Sequence, residues 1–329
     1  MDKAAQLMHA SLAKETWIKY GSGWRAFQDY QEYVEEEFAW PLSERALRGF
    51  TVYCVTVRGI KASSTRAYLS ALMCLQKIGG HKITRIQDDN IGSLLRGAAN
   101  LGMAANKAST NNRRAMTMPL LKHLGHRLAL SGWDKVTTQS IWSAGLVAFF
   151  GTARMGELLA SDENWVDPTS TLTWNDIRYR EEGNSYLIHI KLPKTGMPEG
   201  EYIDLFEFKG QGCCPVAALK RQWIVQKSIG RGGRGDPVFT YPSGRFVTRD
   251  SYNRALRTLL EDLVDYSRDS ITCHSFRAGI PSLVAQYPEL MSSDEIKGWG
   301  RWSSEAYNKY TRLKVDQKAR IFQKIATVL

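Results

Sequence analysis

Four cationic side chains, one indole and one phenol are spaced along the sequence so that they could build a phosphate-binding site with its own nucleophile. His274 and Arg277 lie three residues apart, so on a helix both would project from one face and could donate to one anion. An Arg after an apolar stretch and a Lys between Pro and Gly precede them, and a Trp and a Tyr follow. The set, in chain order, is Arg154, Lys194, His274, Arg277, Trp302 and Tyr310.

These residue types suit the cleavage of a phosphodiester. Its negative charge grows during attack, and Arg and Lys are the natural groups to neutralise that charge. A phenol has a free pKa of about 10 and needs strong positive charge nearby to act as a nucleophile. The leaving sugar hydroxyl needs a proton, which Lys194 or His274 could supply. We expect no metal ion or other cofactor, because the sequence lacks the Asp and Glu cluster typical of metal-dependent nucleases.

Each of these residues also has an ordinary structural interpretation. Arg154 could simply pair with Glu157, which follows at i+3. Lys194 could be a solvated turn residue, Trp302 a core aromatic and Tyr310 the polar end of a helix face. Any one residue taken alone favours that interpretation. The hypothesis of a catalytic site depends on all of them occurring together.

In this order and in these local contexts, the residues resemble the active site of the tyrosine recombinase (phage-type integrase) family. The resemblance covers most of the chain and is strongest in Thr152–Glu157 and His274–Leu313. Its motifs are an Arg on a helix start with an acidic residue at i+3, a Lys on a β-hairpin turn, His-x-x-Arg on a helix start, and Tyr-x-Arg. The stretch Gly300–Ser304 is similar to the form found in Cre-like members, in which Trp replaces a second His.

Three assignments within this resemblance have competitors. Lys191 is the alternative to Lys194 as the hairpin lysine, and Trp299 is the alternative to Trp302. The step from Trp302 to Tyr310 is one residue shorter than is usual in the family. Tyr307 therefore competes with Tyr310 as the nucleophile, although we favour Tyr310.

Composition points to a polyanionic partner. The 329 residues carry a formal net charge of +11, which favours nucleic acid. Five Cys, an odd number without a Cys-x-x-Cys pair, argue against a zinc site or a disulfide framework and fit a reducing intracellular compartment. We expect neither a signal peptide nor a membrane span, because no apolar stretch is long enough.

The first part of the chain predicts a small helical bundle. Aromatic and apolar residues recur at helical spacing from Trp17 to Phe38, with Pro41 expected to end that helix. A second helix is expected to begin at Ser43 and a third at Ser63 or Ser64, the third ending at the two glycines after Ile78; a fourth is expected from about Asp88 to Met103. Within the third, Ser64–Leu69 resembles a DNA-facing segment. We assign residues 1–110 to a core-binding domain that clamps DNA, with a linker at 104–114.

The second part, residues 111–329, predicts an α+β domain. Helices are expected over 118–130 and 139–160, and helices resume at Pro215. Between them, from Leu172 to Phe208, the apolar period changes to two with turns at Gly183 and at 193–200, which predicts a small antiparallel sheet. The predicted fold class is thus mainly α, with a helical bundle of the SAM-like, core-binding kind followed by an α+β catalytic domain.

The resemblance implies a mechanism for this chain. Tyr310 would attack the scissile phosphate to form a 3′-phosphotyrosyl link, and Lys194 would protonate the leaving 5′-oxygen. The phosphate would be held by Arg154, His274, Arg277 and Trp302, with Glu157 in support. Two domains would clamp duplex DNA as a C shape, without metal or ATP.

The resemblance also implies an assembly: a monomer in solution that forms a tetramer on double-stranded DNA. Residues 315–329 carry an apolar stripe at helical spacing. We expect this segment to dock on a neighbouring protomer, the alternative being that it packs on its own domain. Two other functions remain open at this point. They are a type IB topoisomerase-like or telomere-resolving enzyme with the same chemistry, and a sequence-specific DNA-binding protein that has lost catalysis.

Overall fold

The computed structural model describes residues 3–12, 14–81, 88–101, 114–193, 199–208, 212–263, 270–287 and 290–302. The chain forms two compact units, Met1–Thr110 and Asn111–Leu329. Each unit has its own hydrophobic core. Within the described residues, no helix combines the length and the apolar character that crossing a membrane requires.

The first unit is built from helices, as its apolar spacing predicts. A π-helical turn at Tyr53–Val57 extends the third of them. The described helices are α1 (Lys3–Ala10), α2 (Lys14–Val34), α3 (Glu44–Val52), α4 (Ala62–Ile78) and α5 (Asp88–Asn100).

Two helix boundaries in this unit differ from those expected. Helix α2 ends at Val34, because Glu35 adopts a left-handed φ of 53°; the expected end at Pro41 was wrong. Phe38 still contributes to the core, since its ring stacks on Tyr30 with 5.6 Å between centroids. The N-cap of helix α4 is Lys61, two or three residues before Ser63 or Ser64, which were expected to cap it.

The second unit joins helices to one small sheet, and this confirms the predicted α+β class. The described helices are α6 (Met118–Leu130), α7 (Lys135–Phe150), α8 (Met155–Leu158), α9 (Pro215–Lys227), α10 (Arg249–Leu259), α11 (Cys273–Arg277), α12 (Gly279–Val284) and α13 (Ser293–Gly300). The strands are β1 (Ile177–Arg180), β2 (Ser185–Ile190) and β3 (Glu201–Phe206), antiparallel in the order β1-β2-β3.

The helix expected over 139–160 is two helices with a sharp break between them. Helix α7 ends at Phe150, and Thr152 turns the chain with a left-handed φ of 46° before α8 begins at Met155. Apolar residues continue through the break because Ala153 and Met155 also enter the core. The break makes Arg154 the N-cap of α8.

Strands β1 and β2 pair on either side of the predicted turn at Gly183, and β2 and β3 pair on either side of the segment 191–200. In the β2–β3 ladder Ile188 lies opposite Ile203, and Ile190 lies opposite Glu201 at the end nearest the second turn. Ile188 and Ile203 are both buried in the core. The first residues of the predicted sheet region do not form a strand. Trp174–Asp176 forms a turn of 3₁₀-helix, and β1 begins after it. Residues 104–113 of the predicted linker and the segment 315–329 lie outside the described residues.

Candidate active site

The start of α8 places Arg154 beside a buried carboxylate. The backbone N–H of Arg154 donates to Glu157 Oε2 at 3.0 Å, and its guanidinium donates to Oε1 at 2.7 Å. The Glu157 side chain is only 4% exposed, whereas that of Arg154 keeps 25% of its surface in solvent. The predicted i+3 pair therefore exists, and it leaves Arg154 partly accessible.

The C-terminal end of α11 places Arg277 between two other segments. Its guanidinium is buried, with the residue 1% exposed, and donates to the carbonyls of Thr152 and Gly300. The Trp302 ring lies 4.7 Å from the guanidinium carbon, a cation–π contact. Arg277 thus joins the α7–α8 break to the end of α13.

Trp302 reaches this position because of the residues just before it. Arg301 ends α13 in a left-handed conformation, with φ 54° and ψ 47°, and Trp302 then donates its backbone N–H to Lys297 O at 3.0 Å. A Cβ at Gly300 would overlap the Trp302 ring. The ring can pack against the end of the helix only because position 300 is glycine.

Arg301 connects the two parts of this site. Its Nη2 donates to Glu157 Oε2 at 2.9 Å and its Nη1 to Glu201 Oε2 at 3.0 Å. Glu201 is the first residue of β3, so one guanidinium bridges α8 and the sheet. Through Glu157 the same bridge leads to Arg154.

Three of the six predicted catalytic residues therefore lie in one network: Arg154, Arg277 and Trp302. His274 lies one turn before Arg277 on α11, with an exposed side chain, and its backbone N–H donates to the Thr272 hydroxyl at 3.3 Å. Lys194 and Tyr310 lie outside the described residues, as does the competitor Tyr307.

The structure gives two of the competing residues other contacts. Lys191 Nζ pairs with Asp176 Oδ2 at 3.0 Å, and both side chains are largely buried. The Trp299 indole donates to Phe150 O at 2.8 Å, and the Trp299 carbonyl accepts from the Thr152 hydroxyl. Trp302, not Trp299, contacts Arg277.

The charges around Glu157 keep it ionised. Burial by itself would raise its pKa, but the charge of Arg301 and the hydrogen bonds from Arg154 and Arg301 outweigh burial and lower the pKa below its ordinary value. By contrast, burial raises the pKa of Cys273, next to His274, to about 12, so that thiol stays protonated. The two site carboxylates, Glu157 and Glu201, are both paired with arginine.

Arg301, Glu201 and the turn at Thr152 were not identified from sequence. The only sequence signal for Arg301 is its position beside Trp302 inside the strongest motif. What the cluster can do chemically is clear from its charges. The site holds three arginines, Arg154, Arg277 and Arg301, and two carboxylates. The surplus positive charge lies where Arg154 and His274 are accessible, and this suits an anion such as a phosphodiester.

Solved structures of DNA recombinases and integrases have a similar fold over most of the chain. The Tn1549 transposon integrase, solved with transposon right end DNA, has a TM-score of 0.63 at 13% identity, covering 98% of this chain and 99% of that one. XerH site-specific recombinase bound to its difH substrate has a TM-score of 0.59 at 13% identity, covering 92% and 78%. Lambda integrase on a core site has a TM-score of 0.57 at 15% identity, covering 95% and 94%.

No protein-family model and no curated protein sequence matches the chain. Apart from the short motifs described above, the likeness is therefore one of structure, at 13–15% sequence identity. It extends over both units, including the described helices and the three-stranded sheet that hold the arginine–tryptophan network. The chain has the fold of the tyrosine recombinases and integrases.

Proposed function

We propose that this protein is a site-specific DNA recombinase that cuts and rejoins duplex DNA through a 3′-phosphotyrosyl intermediate. The observation that carries the proposal is the network of Arg154, Arg277 and Trp302 on a fold shared with DNA recombinases. The formal net charge of +11 supports DNA as the partner.

In the proposed reaction, the Tyr310 hydroxyl loses its proton to a neighbouring acceptor, its oxygen attacks phosphorus, and the bond to the 5′-oxygen breaks. Lys194 gives that oxygen its proton, so a free 5′-hydroxyl leaves. Arg154 and His274 contact the phosphate directly, because both side chains reach solvent. Arg277 is buried, so it contributes a fixed positive charge from inside the protein. The low dielectric there strengthens its attraction for the charge on the phosphate.

Rejoining reverses these steps with a new strand. The 5′-hydroxyl of a partner strand gives its proton to Lys194, now neutral, and attacks the phosphotyrosyl phosphorus. The bond to Tyr310 breaks, and its phenolate takes a proton back from the acceptor. The covalent link conserves the energy of the phosphodiester, so the reaction needs no ATP. Exchange between two duplexes requires four active sites, and we propose a tetramer that assembles on DNA from monomers.

Covalent trapping tests the proposal. The purified protein is incubated with fragments of the DNA that flanks its own gene, each with a nick so that a cleaved strand diffuses away. We expect a protein–DNA adduct that survives denaturation and carries DNA through a 3′ end. Sequencing the trapped fragments then gives the cleavage site and a half-site for later work.

Two variants distinguish the nucleophile. Tyr310→Phe should bind the recovered half-site as wild type does and form no adduct, while Tyr307→Phe should still form it. An adduct with Tyr310→Phe but none with Tyr307→Phe would move the nucleophile to position 307. Specific binding by the wild type without any adduct would instead favour a DNA-binding protein that has lost catalysis.

A further inference from the structure

We propose that Arg301 is a positioning residue, which holds the Arg154 helix and the β2–β3 hairpin in register for cleavage. The inference rests on the proposed function, but its basis is geometric. One guanidinium bonds Glu157 on α8 at 2.9 Å and Glu201 on β3 at 3.0 Å. These partners are 144 and 100 residues away along the chain, so Arg301 joins elements that the sequence keeps far apart.

Both ends of this bridge lead to residues of the proposed reaction. Glu157 accepts from Arg154, so the position of Arg301 fixes the carboxylate that orients Arg154. Glu201 follows directly after the turn segment 191–200, which carries Lys194 in the sequence. Trp302, which contacts Arg277, is the next residue after Arg301. A displaced Arg301 would therefore disturb Arg154, the start of β3 and Trp302 together.

Two features of Arg301 lower the stability of the fold. The presence of arginine here therefore needs a reason other than stability. Its φ of 54° is a left-handed conformation that glycine would adopt without strain. Its Nε is buried and has no hydrogen-bond partner within the described part of the chain. A residue chosen only to end α13 would be glycine, so the arginine is explained by the carboxylates that it bridges.

Bridging also requires arginine in particular. The two Nη atoms lie in one rigid plane and bond different carboxylates, while the side chain stays 10% exposed. A lysine would keep the charge but has a single ammonium, which cannot hold both carboxylates in the same geometry. Arg301→Lys should therefore fold and bind DNA but lose the alignment.

Arg301→Gly is the direct test, because glycine relaxes the backbone and removes only the side chain. On the trapped half-site we expect single-turnover cleavage to slow by about 100-fold, as for a catalytic group displaced by about 1 Å. Half-site affinity should stay within about twofold, since the loss falls on the transition state. Amide hydrogen exchange should become faster in both Met155–Leu158 and Glu201–Phe206. Arg301→Lys should show the same pattern.

A double-mutant cycle separates positioning from a general loss of stability. Glu201→Gln should slow cleavage by itself but add nothing in the Arg301→Gly background, because the same bridge is already broken. Two controls are matched to the change. Glu35→Gly relaxes a left-handed residue in the first unit, and Arg180→Gln breaks the exposed Arg180–Asp204 pair on the sheet; both should cleave normally.

The outcomes separate the two proposals. If the effects of Arg301→Gly and Glu201→Gln multiply, or if exchange stays unchanged in α8 and β3, the positioning role is wrong. If the wild type forms no adduct, the recombinase proposal is wrong, and the exchange measurement still decides whether Arg301 couples α8 to the hairpin.

Discussion

At the scale of single residues, two neighbouring lysines should differ sharply in what they do. Lys191 is committed to Asp176 at 3.0 Å, and that carboxylate also accepts from the backbone N–H and hydroxyl of Thr173. A lysine held this way stabilises the entry to the hairpin and has little freedom to reach a leaving group. Lys194 therefore stays our proposal for the proton donor.

Lys194→Ala should slow strand cleavage by about 10²–10⁴-fold while DNA binding stays near wild type, because a lost general acid acts on the transition state. A 5′-phosphorothiolate substrate, whose leaving group needs no proton, should restore the rate. Lys191→Ala is the matched control: it should lower the thermal midpoint, and the phosphorothiolate should not improve its rate. Rescue of Lys191→Ala and not of Lys194→Ala would exchange the two roles.

Glu157 should stabilise the second unit in a pH-dependent way. Its pKa is lowered in the folded state, so its stabilisation is fully present above the ordinary value of 4.5 and is lost as pH falls through the lowered folded pKa. Glu157→Gln removes the carboxylate partner of Arg154 and one of the two carboxylate partners of Arg301, and should cost about 3–5 kcal/mol at pH 7. Unfolding by denaturant at several pH values should show that this difference shrinks below pH 4.5. A constant difference down to pH 3 would contradict the assignment.

Sequence predicted a local pair at the site, but not the long-range contacts around it. The pairing of Arg154 with Glu157 follows from local spacing, and the structure contains it. The partners of Arg301 could not be found in this way, because a charged residue meets distant carboxylates only through the fold. Local motifs carry chemistry, whereas long-range ion pairs require the tertiary structure.

At the scale of elements, the break between α7 and α8 was hidden by apolar periodicity. Buried residues continue at helical spacing on both sides of Thr152, so the pattern predicts one helix. Crowding at Gly151 accompanies the break, since a Cβ there would press on Ile203 and on the carbonyl of Val147. The sheet was easier to predict, because the period of two and its turn residues are both local.

Two glycines near the end of α13 should respond differently to substitution by alanine: Gly298 should tolerate the added methyl group, and Gly300 should not. Gly300→Ala would push a Cβ into the Trp302 ring and should separate the indole from Arg277. We expect a stability loss of about 1–3 kcal/mol from overpacking and a cleavage loss of about 100-fold. Thermal melting and adduct formation on the trapped half-site measure both.

Gly298→Ala is the control on the same helix. A Cβ at Gly298 would meet no heavy atom within 4 Å, so the change should stabilise α13 by about 0.5–1 kcal/mol and leave cleavage intact. Equal losses in the two variants would show that the helix, rather than the Trp302–Arg277 contact, is what cleavage depends on.

At the scale of the whole molecule, surplus positive charge should govern DNA binding. Forty-four Lys and Arg exceed thirty-three Asp and Glu, and many of the acidic groups in the second unit are already paired with arginine. In the first unit, the N-terminal part of α4 exposes Arg66 among small polar residues. That arrangement fits the proposed DNA-facing segment, where a helix N-terminus also favours phosphate.

Binding of the recovered half-site should therefore weaken steeply with salt, and a single residue should change the steepness. Each phosphate contact contributes close to one unit to the slope of log affinity against log salt. Arg66→Gln should reduce the slope by about one. Lys77→Gln, on the last turn of the same helix, removes the same charge about 16 Å away and should leave the slope unchanged. Equal changes in both variants would mean that net charge alone drives binding, and a wild-type slope near zero would reject DNA contact through the phosphates altogether.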